Sequence, residues 1–280
     1  MPPVLAVLAL SIAATGAGAT GLYLTKSLTL RLPPWQTVGP LFLLNGLWAA
    51  VLIPFGPTWL TFTPGVLLLH AASAVVLCGT TACVFALVVR GRPSGAAVGQ
   101  ALSPAGALLA APILLGVTVS PLELLGAGVL MAGALIPLRR SFDLGSTAAI
   151  GLLAGLGLGT GGLTVLSAML FERGAGIAEI YIVRVAVAAV VYLILFWPRD
   201  LSRRDLPFLA TRSFFITASF LLTIAAVGLG SVILIQSVLA TLPLVVLIVE
   251  WLRQGSRPQP AVLVGSLIAT GGLILLLRAL

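Results

Sequence analysis

Charge is what this chain has least of. Asp, Glu, Lys and Arg make up 8% of its 280 residues, 15 basic against 7 acidic. A soluble domain carries about 25%, so an ordinary water-soluble globule is excluded. One histidine, His70, and two cysteines, Cys78 and Cys83, are too few for a zinc site, which takes three or four ligands. The cysteines lie five residues apart in one apolar run. At about 100° per residue they point to different sides of a helix, so no internal disulfide is expected. No nucleophile, phosphate loop or paired carboxylates stand out, and the connections between apolar runs are too short to hold a soluble domain. The chain is therefore expected to be no enzyme and to need no cofactor or metal. The net charge of +8 does not imply nucleic acid, because the basic residues are scattered through short turns rather than gathered into a patch. Membrane lipids with anionic headgroups are their expected partners.

What is present is hydrophobic: 60% of the residues, in runs of about 20 that recur from end to end, each long enough to cross a bilayer as a helix. A β-barrel would instead alternate over segments of about 10 residues. The pattern predicts an all-α membrane protein of ten transmembrane helices, over residues 4–24, 35–53, 64–89, 94–117, 121–138, 146–171, 177–197, 206–229, 231–252 and 260–280. The first run has the small residues of a signal peptide at 16–19 but not its basic start, and it has a counterpart at 154–160, so it is read as a permanent helix.

Glycine and proline are common (31 and 18) and carry a repeat. Pro243, Pro260, Gly265 and Gly272 follow Pro104, Pro121, Gly126 and Gly133 by a constant 139 residues, as Gly155 and Gly157 follow Gly16 and Gly18. The chain thus reads as one unit used twice, the two copies covering 1–140 and 141–280, as in many transporters. Turns after odd-numbered helices hold Lys26, Arg31, Arg90, Arg92, Arg139, Arg140, Arg199, Arg203, Arg204, Arg253 and Arg257, against Arg173 and Arg278 on the other side. Short cytoplasmic turns retain Lys and Arg, which puts the odd turns in the cytoplasm and both termini outside. Five crossings per copy make the copies inverted.

The second half resembles the EamA-like repeat of the drug/metabolite transporter superfamily. The resemblance rests on the Gly-rich helix 149–169, Arg184 in the next helix, the run from Gly230 to Pro243, then Glu250, Pro260, Gly265 and Gly272. It implies two inverted five-helix repeats around a central cavity walled by the first, third, fourth, sixth, eighth and ninth helices, with the second and seventh contributing. It also implies export or exchange of small metabolites, and termini in the cytoplasm, where the charges here point the other way. The first half departs from the pattern: Ala111 stands in the place of Glu250 and Asn45 in that of Arg184.

Ionisable groups in membrane helices cost about 2.5–3.5 kcal/mol on insertion scales and face cavities or partners. Arg184, Arg212, Tyr181, Gln236, Gln100 and Asn45 are the candidate substrate-binding residues, Phe214 and Phe215 beside Arg212 a candidate apolar wall. Glu179 either pairs with Arg184 or another neighbour or, with His70, couples transport to protons. Arg212 either snorkels to the membrane surface or binds an anion. Pro104 and Pro243 are candidate hinges. Glu123, Glu172, Asp143, Trp35, Trp59, Trp197 and Trp251 fall at helix ends, as interfacial residues do. The expected function is a secondary transporter of a small polar metabolite such as an amino acid or other carboxylate. It would act by alternating access in a bacterial cytoplasmic (inner) membrane, as a monomer or homodimer. The alternatives are a flippase for a phosphate-bearing lipid carrier and, from another class, an intramembrane enzyme or structural subunit.

Overall fold

The computed structural model describes residues 3–51, 63–90, 93–136, 147–254 and 260–279. Arg92, Arg139, Arg140, Arg257, Trp59, Asp143 and the expected repeat boundary at 140 lie outside them, as do the side chains of Glu250 and Arg253. The described residues are helical, with no strand. The helices are α1 (Pro3–Thr29), α2 (Pro34–Ala50), α3 (Pro64–Arg90), α4 (Pro93–Ala101), α5 (Ser103–Leu115), α6 (Pro121–Leu135), α7 (Thr147–Glu172), α8 (Ile177–Leu195), α9 (Leu206–Val227), α10 (Val232–Leu239), α11 (Leu242–Gln254) and α12 (Pro260–Ala279). Among the described residues, six stretches are long and apolar enough to cross a membrane: Val4–Thr29, Pro64–Arg90, Thr147–Glu172, Ile177–Leu195, Arg203–Val227 and Val232–Val249. This is the build of an integral membrane protein.

Two of the ten expected helices are broken. α4 and α5 are parted by Leu102 alone, α10 and α11 by Ala240 and Thr241. Proline explains both. Pro104 and Pro243 supply no N–H, and their rings crowd the carbonyls four residues earlier, at Gln100 and Leu239. Each proline then fits the first turn of the next segment, where a missing N–H costs nothing. The ends recur at one spacing: α10, α11 and α12 begin 139 residues after α4, α5 and α6.

Packing partners fix the relative directions. Gly126 of α6 lies against Gly272 of α12, and Gly133 against Gly265; one number falls as the other rises, so the pair is antiparallel. Gly39 against Leu193 and Gly46 against Val185 make α2 and α8 antiparallel in the same way. So are α1 and α9, joined by Ser219 Oγ donating to the Ala14 carbonyl at 2.7 Å, and α3 and α7, where Gly159 meets Thr80 and Gly155 meets Cys83. Between helices, lipid tails replace water as the competing solvent, so close approach of small residues does much of the holding. The glycines of α7 divide by face: Gly155 and Gly159 admit α3, Gly157 and Gly161 admit the α4–α5 junction, and nothing lies within 4 Å of a side chain at Gly162. Gly162 thus falls out of the single packing face that its spacing from Gly155 and Gly159 suggests.

Lys26, Arg31 and Arg199 gather at one end. Lys26 Nζ donates to the Val88 carbonyl at 2.9 Å, the Arg199 amide donates to Gln36 Oε1 at 3.1 Å, and the Arg31 guanidinium stands 5.4 Å from the centre of the Phe208 ring. These contacts bring together the end of α1, the start of α2, the end of α3 and the α8–α9 turn.

Candidate functional site

A cavity of about 130 Å³ lies inside the bundle. Its lining comes from α1, α2, α3, α4 and α7 to α11, the set of helices that the resemblance implied, while α6 and α12 stand outside it. All six candidate binding residues border it: Arg184, Arg212, Tyr181, Gln236, Gln100 and Asn45. Gln100 and Leu239, whose carbonyls the two prolines crowd, also belong to the wall. Pro104 and Pro243 themselves do not, so the broken backbone faces the cavity through the residues one turn before each proline.

Arg184 is 1% exposed. Its Nε donates to Ser73 Oγ, and one terminal nitrogen donates to Ser167 Oγ at 2.9 Å. Arg212 is 7% exposed; its Nε donates to Thr25 Oγ1 at 2.9 Å and its guanidinium stands 5.9 Å from the centre of the Phe85 ring. Arg212 therefore does not snorkel to the surface. Phe85 is its aromatic neighbour; Phe214 and Phe215 are absent from the wall, and Phe214 is instead 45% exposed, against the edge of Trp48. Neither arginine has a carboxylate within ion-pair distance among the described residues. Glu179, the expected partner of Arg184, lies 3.3 Å from His70 Nε2, both side chains buried.

Tyr181 is stacked on Phe220, its hydroxyl donates to Thr217 Oγ1 at 3.4 Å, and it is near enough to both guanidiniums to feel their charge. Gln236 donates through Nε2 to Thr164 Oγ1, while its Oε1 and Asn45 Oδ1 are buried without a hydrogen-bond partner. Ser73, Ser167, Thr25 and Thr164, which hold these groups, are the residues sequence reasoning missed. A lone Ser or Thr in a membrane helix gives little signal, because its hydroxyl commonly bonds the carbonyl four residues back, as Ser167 does to Leu163 at 2.8 Å. At the spacing of 139 residues, Arg184 matches Asn45 and Arg212 matches Ser73, so both cations come from the second half of the chain.

A second hollow, about 480 Å³, lies at the end away from the basic turns, with Glu123, Glu172, Phe171, Ser231 and Val227 among its lining. Val227 borders both hollows. Its carboxylates make the second hollow unsuited to an anion, whereas the first has no acidic side chain among its described lining.

His70 and Glu179 sit about one turn beyond Ser73 and Arg184. Breaking a buried pair from one side costs about 3–5 kcal/mol. Glu179→Ala is therefore expected to lower the melting temperature of the purified protein by several degrees. An unchanged melt would mean that the 3.3 Å contact contributes nothing to the fold.

No family model matches this sequence, and no curated protein matches it. Among solved structures, a crystal structure described only as that of a protein superposes with a TM-score of 0.73, over 95% of this chain and 99% of its own, at 19% identity. At that identity the likeness is one of fold alone.

Proposed function

We propose that this chain is a secondary transporter that moves a small anionic metabolite across a bacterial cytoplasmic membrane by alternating access, as an exporter or exchanger. One observation carries the reading: Arg184 and Arg212, both buried, border one cavity in an apolar bundle without a carboxylate between them. An uncompensated buried charge costs several kcal/mol. Hydroxyl neighbours orient a guanidinium but do not neutralise it, so the arrangement suits a site that takes up and releases an anion. The resemblance to EamA-like drug/metabolite transporters points the same way. The antiparallel pairing of α2 with α8 and of α6 with α12, and the three helix starts that recur after 139 residues, support two inverted five-helix repeats. Pro104 and Pro243 are the hinges of this scheme, and the His70–Glu179 pair is its proton-coupling group. A phosphate-bearing lipid carrier is the weaker cargo, since about 130 Å³ falls below the roughly 300–1,000 Å³ of pockets for drug-sized ligands.

Purified protein in liposomes preloaded with succinate, phosphate or alanine tests the reading by counterflow of the labelled compound. Accumulation above that of empty liposomes is expected for at least one anion; none for any of them would remove the carrier reading. The basic turns predict the orientation. In a background lacking Cys78 and Cys83, a cysteine at Arg203 is expected to resist a membrane-impermeant thiol reagent added to intact cells and to react after lysis. Labelling of intact cells would turn the molecule round.

A further inference from the structure

We infer that the cargo carries two negative charges, one for each guanidinium, rather than the single carboxylate and ammonium of a neutral amino acid. The inference rests on the transport reading above and narrows its substrate class. The described lining of the cavity holds two cations, Arg184 and Arg212, and no acidic side chain. A zwitterion brings no net charge, and its ammonium finds no carboxylate there. A monoanion leaves one guanidinium uncompensated in a largely apolar surround, where charge is expensive. A dianion neutralises both.

The donor inventory agrees. Arg184 commits Nε and one terminal N–H to Ser73 and Ser167, and Arg212 commits only Nε to Thr25, so most N–H groups of both forks remain for anionic oxygens. Tyr181 lines the same cavity and adds a hydroxyl to its wall. The recognised chemistry is thus a small dianion, whether its charges sit on two carboxylates or on one phosphate.

Competition binding in detergent, read as ligand-dependent shifts in melting temperature, tests this with succinate, its monoamide succinamate, glycerol 3-phosphate and alanine. At least one dianion is expected to bind about tenfold or more tightly than succinamate and alanine, equivalent to about 1.4 kcal/mol. Succinate ahead of glycerol 3-phosphate assigns the charges to two carboxylates, and the reverse order assigns them to a phosphate. Arg212→Gln is expected to reduce the preference for dianion over monoanion to near one, and Arg212→Lys to restore part of it. Neither dianion binding more tightly than succinamate and alanine, a preference that survives Arg212→Gln, or no shift with either dianion would overturn the two-charge inference. Counterflow of a single-charged anion that depends on Arg184 would leave the carrier reading standing when this narrower claim fails.

Discussion

Arg184→Met is expected to abolish anion uptake by reconstituted vesicles while leaving the melting temperature unchanged or raised. The two effects part because the guanidinium has hydroxyl partners but no neutralising one. Removing an uncompensated buried charge also removes its desolvation penalty, several kcal/mol per ion. Ser167 keeps its bond to the Leu163 carbonyl, so it is not stranded by the change. Transport loses the charged hydrogen bonds that hold the anion, each worth about 1.5–3 kcal/mol, so uptake efficiency should fall about 100-fold or more. Arg184→Lys should recover little, since an ammonium lacks the planar fork. Uptake at the original rate would remove Arg184 from the site. A variant that fails to fold would instead make it a structural residue, held by Ser73 and Ser167 for the sake of α3, α7 and α8.

The second large effect concerns α7 where it crosses the α4–α5 break. A Cβ at Gly157 would stand 2.5 Å from Leu102 Cβ and 2.8 Å from the Gly99 carbonyl oxygen. These are atoms of the junction itself, which cannot swing aside as a long side chain could. Gly157→Val should therefore cost about 3 kcal/mol or more, seen as a lower melting temperature and poor yield. Gly162 is the control. With open space around it, Gly162→Ala should gain up to about 1 kcal/mol from helix propensity alone. If both substitutions act alike, the contact at the break is not what holds α7 in place.

Backbone-shaping residues made much of the fold legible before any coordinates. Glycine and proline mark where chains approach or break, and Pro104 and Pro243 lie within three residues of the observed interruptions at Leu102 and at Ala240–Thr241. The membrane helices were legible because the chain has so few charges to interrupt them. The few ionisable, amide and phenol groups inside them could be singled out, and six of those meet at one cavity. Partnership was harder to read. Glu179 lies five residues before Arg184, a spacing of about 140° round a helix, so the two diverge and His70 of another helix supplies the contact. Phe214 failed as a wall for the same reason, lying about 200° round α9 from Arg212; Phe215 shares the side of Arg212 but is not in the lining, and Phe85 arrives from α3. The hydroxyls that hold the arginines are contacts across 17, 111 and 187 residues, which no local pattern encodes.

For the proposed inverted-repeat carrier, it has a kinetic corollary that both guanidiniums belong to the second half of the chain, with Asn45 and Ser73 at the matching positions of the first. In an inverted pair the halves exchange shapes when the opening changes sides, and identical halves would make the two openings mirror images. Here they are unequal, so half-saturation on one face of the membrane should differ from that on the other. Without a driving ion, detailed balance holds the ratio of maximal rate to half-saturation the same in both directions. The unevenness would then set the concentrations at which each face works, while the gradient alone would decide which way the cargo goes.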